Sequence, residues 1–152
     1  MAQLDNQERL SVSEILAAAY MRKAQEDDNK EEWYDKALSL FETLRNSGYV
    51  TWQIQENIAI LLEQTGNFEG AAQQLLQMAE KYPKDYRVYK RLAYLEANRQ
   101  QYYENDERDY LQMKEYYEQA MLLYKNSNED DMEMQMLEQM MAELEAGGWF
   151  AQ

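Results

Sequence analysis

Residues 52–83, WQIQENIAILLEQTGNFEGAAQQLLQMAEKYP, decide how the rest of the chain is read. Their spacing predicts two short helices joined by a tight turn at Gly66-Asn67. Ile58, Ala59 and Leu62 fall on one face of the first helix; Ala71, Leu75 and Met78 fall on one face of the second. Thr51 and Asn67 are of the residue types that cap helix N-termini, and Pro83 stops the second helix. A single hairpin of this kind cannot hide both apolar faces, so similar hairpins must stack on it.

The same grammar extends in both directions. Ser11-Val12-Ser13-Glu14 has the form of a capping box and would open a helix carrying Ile15, Leu16, Ala19 and Tyr20. Asp27-Asp28-Asn29 would turn the chain and cap a helix through Trp33, Ala37, Leu40, Phe41 and Leu44, ended by Gly48. Asp85 would cap a fifth helix through Tyr89, Leu92 and Ala93. The charged stretch Glu104–Asp109 turns the chain again, and a sixth helix carries Met113, Tyr117, Ala120 and Tyr124. Asn126-Ser127-Asn128 breaks it. A methionine-rich seventh helix follows to Ala146, stopped by Gly147-Gly148, with Trp149 and Phe150 left as an apolar tail. With one proline, five glycines and no sustained period-two alternation, the chain is expected to be all-α.

The spacing repeats. The large–small pairs Leu16-Ala17, Ile58-Ala59 and Leu92-Ala93 stand 42 and 34 residues apart, and Ala37, Ala71 and Met113 stand 34 and 42 apart. The first and third units are therefore each eight residues longer than the middle one. Eight residues is about one extra turn on each helix of a hairpin, which would keep the packed faces in register.

A 34-residue helix–turn–helix unit with this pattern resembles the tetratricopeptide repeat. The middle unit reads Gln55-x2-Ile58-Ala59-x2-Leu62, Gly66-Asn67-Phe68, Ala71-x3-Leu75 and Pro83; the flanking units carry Leu16-Ala17-x2-Tyr20 with Ala37-x3-Phe41, and Leu92-Ala93 with Met113-x3-Tyr117. The resemblance covers about residues 10–125 and implies a tetratricopeptide-like α-solenoid of three helix hairpins plus a C-terminal capping helix. The expected division is a flexible N-terminus over 1–9, a helical domain over 10–146 and a tail over 147–152. Units fall at about 10–51, 52–85 and 86–127, and the capping helix at about 129–146. A weaker likeness, carried by YPKDYRVYKRLA and the Gly-Gly-Trp-Phe ending, is to helical C-terminal regions of bacterial membrane-anchored serine/threonine kinases.

Composition narrows the chemistry. The formal net charge is −14, from 29 acidic and 15 basic residues, which argues against nucleic-acid or anionic-membrane partners. There is no cysteine and no histidine, so thiol and imidazole chemistry and the usual transition-metal ligands are missing. The polar start MAQLDNQERL does not read as a secretion signal, no run is long enough to span a bilayer, and nothing fixes the compartment. The acidic run Glu26-Asp27-Asp28 with Glu31-Glu32 lacks the alternating ligands and glycine of an EF-hand and reads as a capping turn. No cofactor, no metal site and no enzymatic activity are expected.

The resemblance implies a partner-binding groove lined by the first helix of each unit. Between Lys81 and Arg99 six basic residues face two acidic ones, a local +4 in an otherwise anionic chain. Arg87, Lys90, Arg91 and Tyr94 share a helix face there, and Asn57, Ile60 and Met21 complete the expected partner-binding set. The expected partner is a protein or peptide segment, acidic in character. Asn57, Arg87 and Arg91 also match three places of a carboxylate-clamping subset of the family, whereas Glu14 and Ala18 replace its other two. The competing readings are that these cations pair with Glu56 and Glu63 or stay solvated, and that the methionine-rich helix (Met132, Met134, Met136, Met140, Met141) serves self-association.

Overall fold

The computed structural model describes residues 6–151, and every regular element among them is helical. The helices are α1 (Asn6–Glu26), α2 (Lys30–Asn46), α3 (Trp52–Gln64), α4 (Phe68–Lys81), α5 (Tyr86–Gln100), α6 (Leu111–Tyr124) and α7 (Met132–Ala146), with one 3-10 turn at Asn105–Glu107. The chain divides into two units, residues 1–74 and 75–152, and α4 runs through the boundary.

Caps place most of the helix ends. Thr51 Oγ1 accepts from the Ile54 N–H at 3.1 Å, Asn67 Oδ1 from Gly70 N–H at 2.9 Å, and Asp85 Oδ1 from Arg87 N–H at 3.0 Å. Each satisfies an amide that the helix leaves orphaned. Thr51→Ala is therefore expected to destabilise the chain by about 1 kcal/mol, read from the urea midpoint. At the other ends, Gly48 and Gly66 adopt φ of +87° and +86°, the left-handed region that an L side chain resists. There Tyr49 N–H reaches Leu44 O and Asn67 N–H reaches Leu62 O, closing the last turns in the Schellman manner.

Two expected helix starts are corrected. Ser11–Glu14 is no capping box, because α1 is already helical at Asn6 and residues 6–9 belong to it; residues 1–5 of the expected flexible segment lie outside the described ones. Leu10 packs on the core of the first unit, which holds the added turn. Ser11 and Glu14 instead meet Tyr49, whose hydroxyl donates to Glu14 Oε2 at 3.1 Å and lies 3.3 Å from Ser11 Oγ. Asn29 flanks α2 without a side-chain cap. The turn is held by Asp27, which accepts from Asn29 N–H at 3.0 Å and from the Trp33 indole at 3.1 Å. These hydrogen bonds keep its carboxyl below the usual range, the backbone one contributing most.

In the first unit α2 packs against both α1 and α3. Ala17, Ala37, Phe41, Leu44, Ile54, Ile58 and Leu61 form its buried core. Small residues at Ala17 and Ala37 let α1 and α2 approach closely. In the second unit α6 packs against α5 and α7 around Ala93, Ala97, Met113, Ala120, Met134, Leu137 and Met141. The repeat anchors Ala17, Ala59, Ala93, Ala37, Ala71 and Met113 are all buried, as their spacing requires.

The two eight-residue extensions have different fates. In the first unit they lengthen both helices: α1 and α2 have 21 and 17 residues against 13 and 14 in α3 and α4. In the third repeat, α5 and α6 have 15 and 14, and the extra chain becomes the loop with the 3-10 turn. Glu104-Asn105-Asp106 is poor helix sequence. Gln100 Oε1 accepts from Asp109 N–H at 2.9 Å and Arg108 Nε donates to Tyr103 O at 3.1 Å, which fixes the loop instead.

The apolar tail is docked. Gly148, at φ +82°, turns the chain back so that Trp149 N–H meets Leu144 O. The Trp149 ring then sits edge-on to Tyr110 at 4.9 Å, and Lys114 Nζ lies 4.9 Å from the Phe150 ring centroid.

Candidate partner-binding surface

The basic stretch begins at the cap of α5. Asp85 holds Arg87 in a fork: Nε donates to Oδ1 at 3.0 Å and Nη2 to Oδ2 at 2.7 Å. Burial alone would raise the Asp85 carboxyl, but the hydrogen bonds from Arg87 outweigh it and leave it below its ordinary value. The Arg87 side chain stays about half exposed. It borders a cleft of about 680 Å³ that Tyr82, Pro83, Lys84, Tyr86, Ser127 and Glu129 also line.

One turn further on, Lys90 departs from expectation. It is buried, and its ammonium donates to Asp131 Oδ2 at 2.8 Å and Glu133 Oε1 at 3.2 Å. Its partners are thus at the start of α7, not Glu56 or Glu63. Asp131 also accepts from Tyr86 OH at 2.8 Å and caps α7 through Glu133 N–H at 2.9 Å, while its own N–H donates to Tyr124 OH at 2.9 Å. Tyr94 OH donates to the Glu133 carbonyl. Tyr86, Lys90 and Tyr94, one turn apart each, therefore form the seat of α7. Burial first, then the Glu133 and Asp131 carboxylates, raises the Tyr94 phenol. Lys90 is corrected from a free partner contact to an internal counter-ion.

Arg91 differs from its neighbours. Its side chain is half-buried, and Nε is buried without a hydrogen-bond partner. A guanidinium N–H in that state lacks an acceptor that its charge would bind strongly.

The remaining expected residues lie in the first unit. Asn57 is buried and accepts from Gln53 Nε2 at 3.1 Å, which withdraws it from the expected contact set. Ile60 is half-buried, and Met21 packs against the core cluster at its edge. On α7, Met134 and Met141 are buried, whereas Met132 and Met136 are exposed. The methionine run is thus split between core and surface. Tyr82 and Lys84 also line the cleft and fall outside the expected partner-binding set, because they lie in the turn rather than on a helix face.

Among the described residues no cluster of His, Cys, Asp or Glu could hold a metal, and no helix is long and apolar enough to cross a membrane. Residues 21–86 match the family model for the tetratricopeptide repeat, and the chain carries tetratricopeptide repeat sequence over that stretch, from the middle of α1 to the start of α5. No curated protein and no solved structure matches the chain. Tetratricopeptide repeats generally mediate protein–protein interaction, and typically do so without catalysis.

Proposed function

We propose that the chain is a non-catalytic protein-binding module that takes an acidic segment of a partner along the N-terminal half of α5. Arg91 and Arg87 supply the charge, and Tyr82, Pro83 and Tyr86 offer apolar contact in the adjoining cleft. The observation that carries this reading is the half-exposed Arg87 guanidinium at the edge of a cleft lined by Tyr82, Pro83 and Tyr86. A partner's carboxylate meeting the exposed edge of a guanidinium forms a charge-assisted hydrogen bond. The likeness to helical regions of bacterial kinases supports a larger signalling protein as the setting. The competing reading, self-association through the methionine-rich helix, is left with Met132 and Met136 as its exposed contacts.

Fluorescence anisotropy with a labelled acidic dodecapeptide, set against its Asn/Gln counterpart, tests the proposal. Binding should weaken with salt. Arg91→Ala should lower affinity about 10- to 100-fold, as loss of a charged hydrogen bond of about 1.5–3 kcal/mol implies. Equal affinity for the two peptides, or for the wild type and Arg87→Ala/Arg91→Ala, would refute it.

A further inference from the structure

The cleft beside Arg87 has two unlike walls. One comes from the turn into α5 and carries the cations Lys84 and Arg87; the other comes from the turn before α7 and carries Ser127 and Glu129. Of the charges that border the cleft, Asp85 and Arg87 are paired with each other in the fork. Lys84 and Glu129 are the others. Both are exposed, and among the described residues neither side chain has a hydrogen bond or ion pair. The charges therefore do not cancel in place: positive charge sits on the α5 side and an unpaired carboxylate on the α7 side. The Ser127 hydroxyl is already engaged, donating to Tyr124 O at 2.7 Å and accepting from Glu129 N–H at 3.2 Å. Glu129 is thus the acceptor that the α7 side offers.

Between these charges lie rings. Tyr82, Pro83 and Tyr86 line the cleft, and Tyr86 is held in place: its hydroxyl donates to Asp131 and its ring meets that of Tyr124 at 4.9 Å. Burial first, then Asp131, raises the Tyr86 phenol, and the Glu129 carboxylate adds to the shift, which puts it within electrostatic reach of that ring. At about 680 Å³ the cleft falls within the range of about 300–1,000 Å³ for sites that take a ligand-sized group. An aliphatic side chain would fill it but displace water from Glu129 without supplying a donor. A lysine or arginine would meet Glu129 but also face Lys84 and Arg87. An aromatic side chain with its own donor suits every wall, with its ring on Tyr82, Pro83 and Tyr86 and its O–H or N–H toward Glu129. We infer that the partner segment anchors in this cleft through a tyrosine or tryptophan that donates to the Glu129 carboxylate, with an acidic residue beside it in sequence meeting Lys84 and Arg87. The inference rests on the protein-binding role proposed above and names what that partner presents.

Anisotropy on the full chain with three labelled dodecapeptides tests this. They share the same Asp and Glu residues and differ only in a central Tyr, Phe or Ala. The Tyr peptide should bind about tenfold tighter than the Phe peptide, as a hydrogen bond to a charged acceptor implies. It should bind about 30-fold or more tighter than the Ala peptide, as for a buried aromatic anchor. Glu129→Ala changes an exposed turn position and should keep the urea midpoint. It should bring the Tyr and Phe peptides to within about twofold of each other, as loss of the hydrogen bond implies, with both still ahead of the Ala peptide. Asp130→Ala removes the neighbouring charge, which does not line the cleft, and should leave the Tyr-to-Phe ratio unchanged. Equal binding of the three peptides overturns the inference and leaves the acidic-partner reading standing. So does a Tyr-to-Phe ratio that survives Glu129→Ala, or one that falls as far on Asp130→Ala. Failure of all three to bind better than their Asn/Gln counterparts overturns that reading and the inference together.

Discussion

Asp131→Ala is expected to cost about 3–5 kcal/mol of unfolding free energy, the range for breaking a buried ion pair from one side. Three groups depend on this carboxylate: the Lys90 ammonium, the Tyr86 hydroxyl and the Glu133 amide in the first turn of α7. The Lys90 side chain is 8% exposed, so water cannot replace the lost partner, and Glu133, half exposed, offers only a longer contact. Lys90→Met should cost less, because Asp131 would keep Tyr86 OH and the Glu133 N–H. The double variant Asp131→Ala/Lys90→Met should then be more stable than Asp131→Ala alone, since the stranded cation is gone. Urea titrations of the four proteins measure the cycle. The same experiment in acid has a defined sign. Burial alone would raise the Asp131 carboxyl, but hydrogen bonds from Lys90 and Tyr86 outweigh it and hold it below its ordinary value. A carboxyl depressed in the folded state stabilises fully above its unfolded value, about 3.9, and the contribution is lost as pH falls through the folded value. The gap between wild type and Asp131→Ala should therefore be constant from pH 7 down to about pH 4 and close below it.

Most of the helices, and their buried faces, were legible in the sequence, because helical periodicity and cap residues are local signals. Thr51, Asn67 and Asp85 cap where their residue types and positions predict. The partners of the basic stretch were not legible. Lys90 meets Asp131 across 41 residues of chain, and with 29 acidic residues available nothing in local spacing selects that one. The pairing follows from the register of α7 on α5, which only packing decides. The same holds for the third unit's extension: anchor spacing gives its length, whereas the choice of loop over extra helical turns rests on Asn105 and Asp106 and on the side chains of Gln100 and Arg108 that tie it down. Leu16 shows a third limit. Its pattern matches Ile58 and Leu92, but burial depends on a preceding neighbour, which a residue's own spacing does not reveal.

Phe41→Ala is expected to cost about 3–5 kcal/mol, as for other fully buried aromatic side chains cut to a methyl group. Phe41 has no exposed surface and is packed among Ala17, Ala37, Leu44, Ile54, Ile58 and Leu61, between α2 and its two neighbours. The two alanines are already minimal, so they cannot swell into the space, and the cavity stays open. The equivalent positions in the later units make the argument specific to environment. Leu75 is 3% exposed, and its truncation should fall in the range of about 2–5 kcal/mol for a buried leucine. Tyr117, the third equivalent, is only half-buried, beside the cluster of the second unit. Burial first, then the Glu138 and Glu118 carboxylates, raises its phenol, so its hydroxyl remains protonated through neutral pH. Tyr117→Ala should cost less than either, about 1–2 kcal/mol, because part of its ring already meets solvent. Three residues at one repeat position, in three different surroundings, should thus give a steep gradient in denaturant midpoints. Equal losses for Phe41→Ala and Tyr117→Ala would show that position in the repeat, rather than burial, sets the cost.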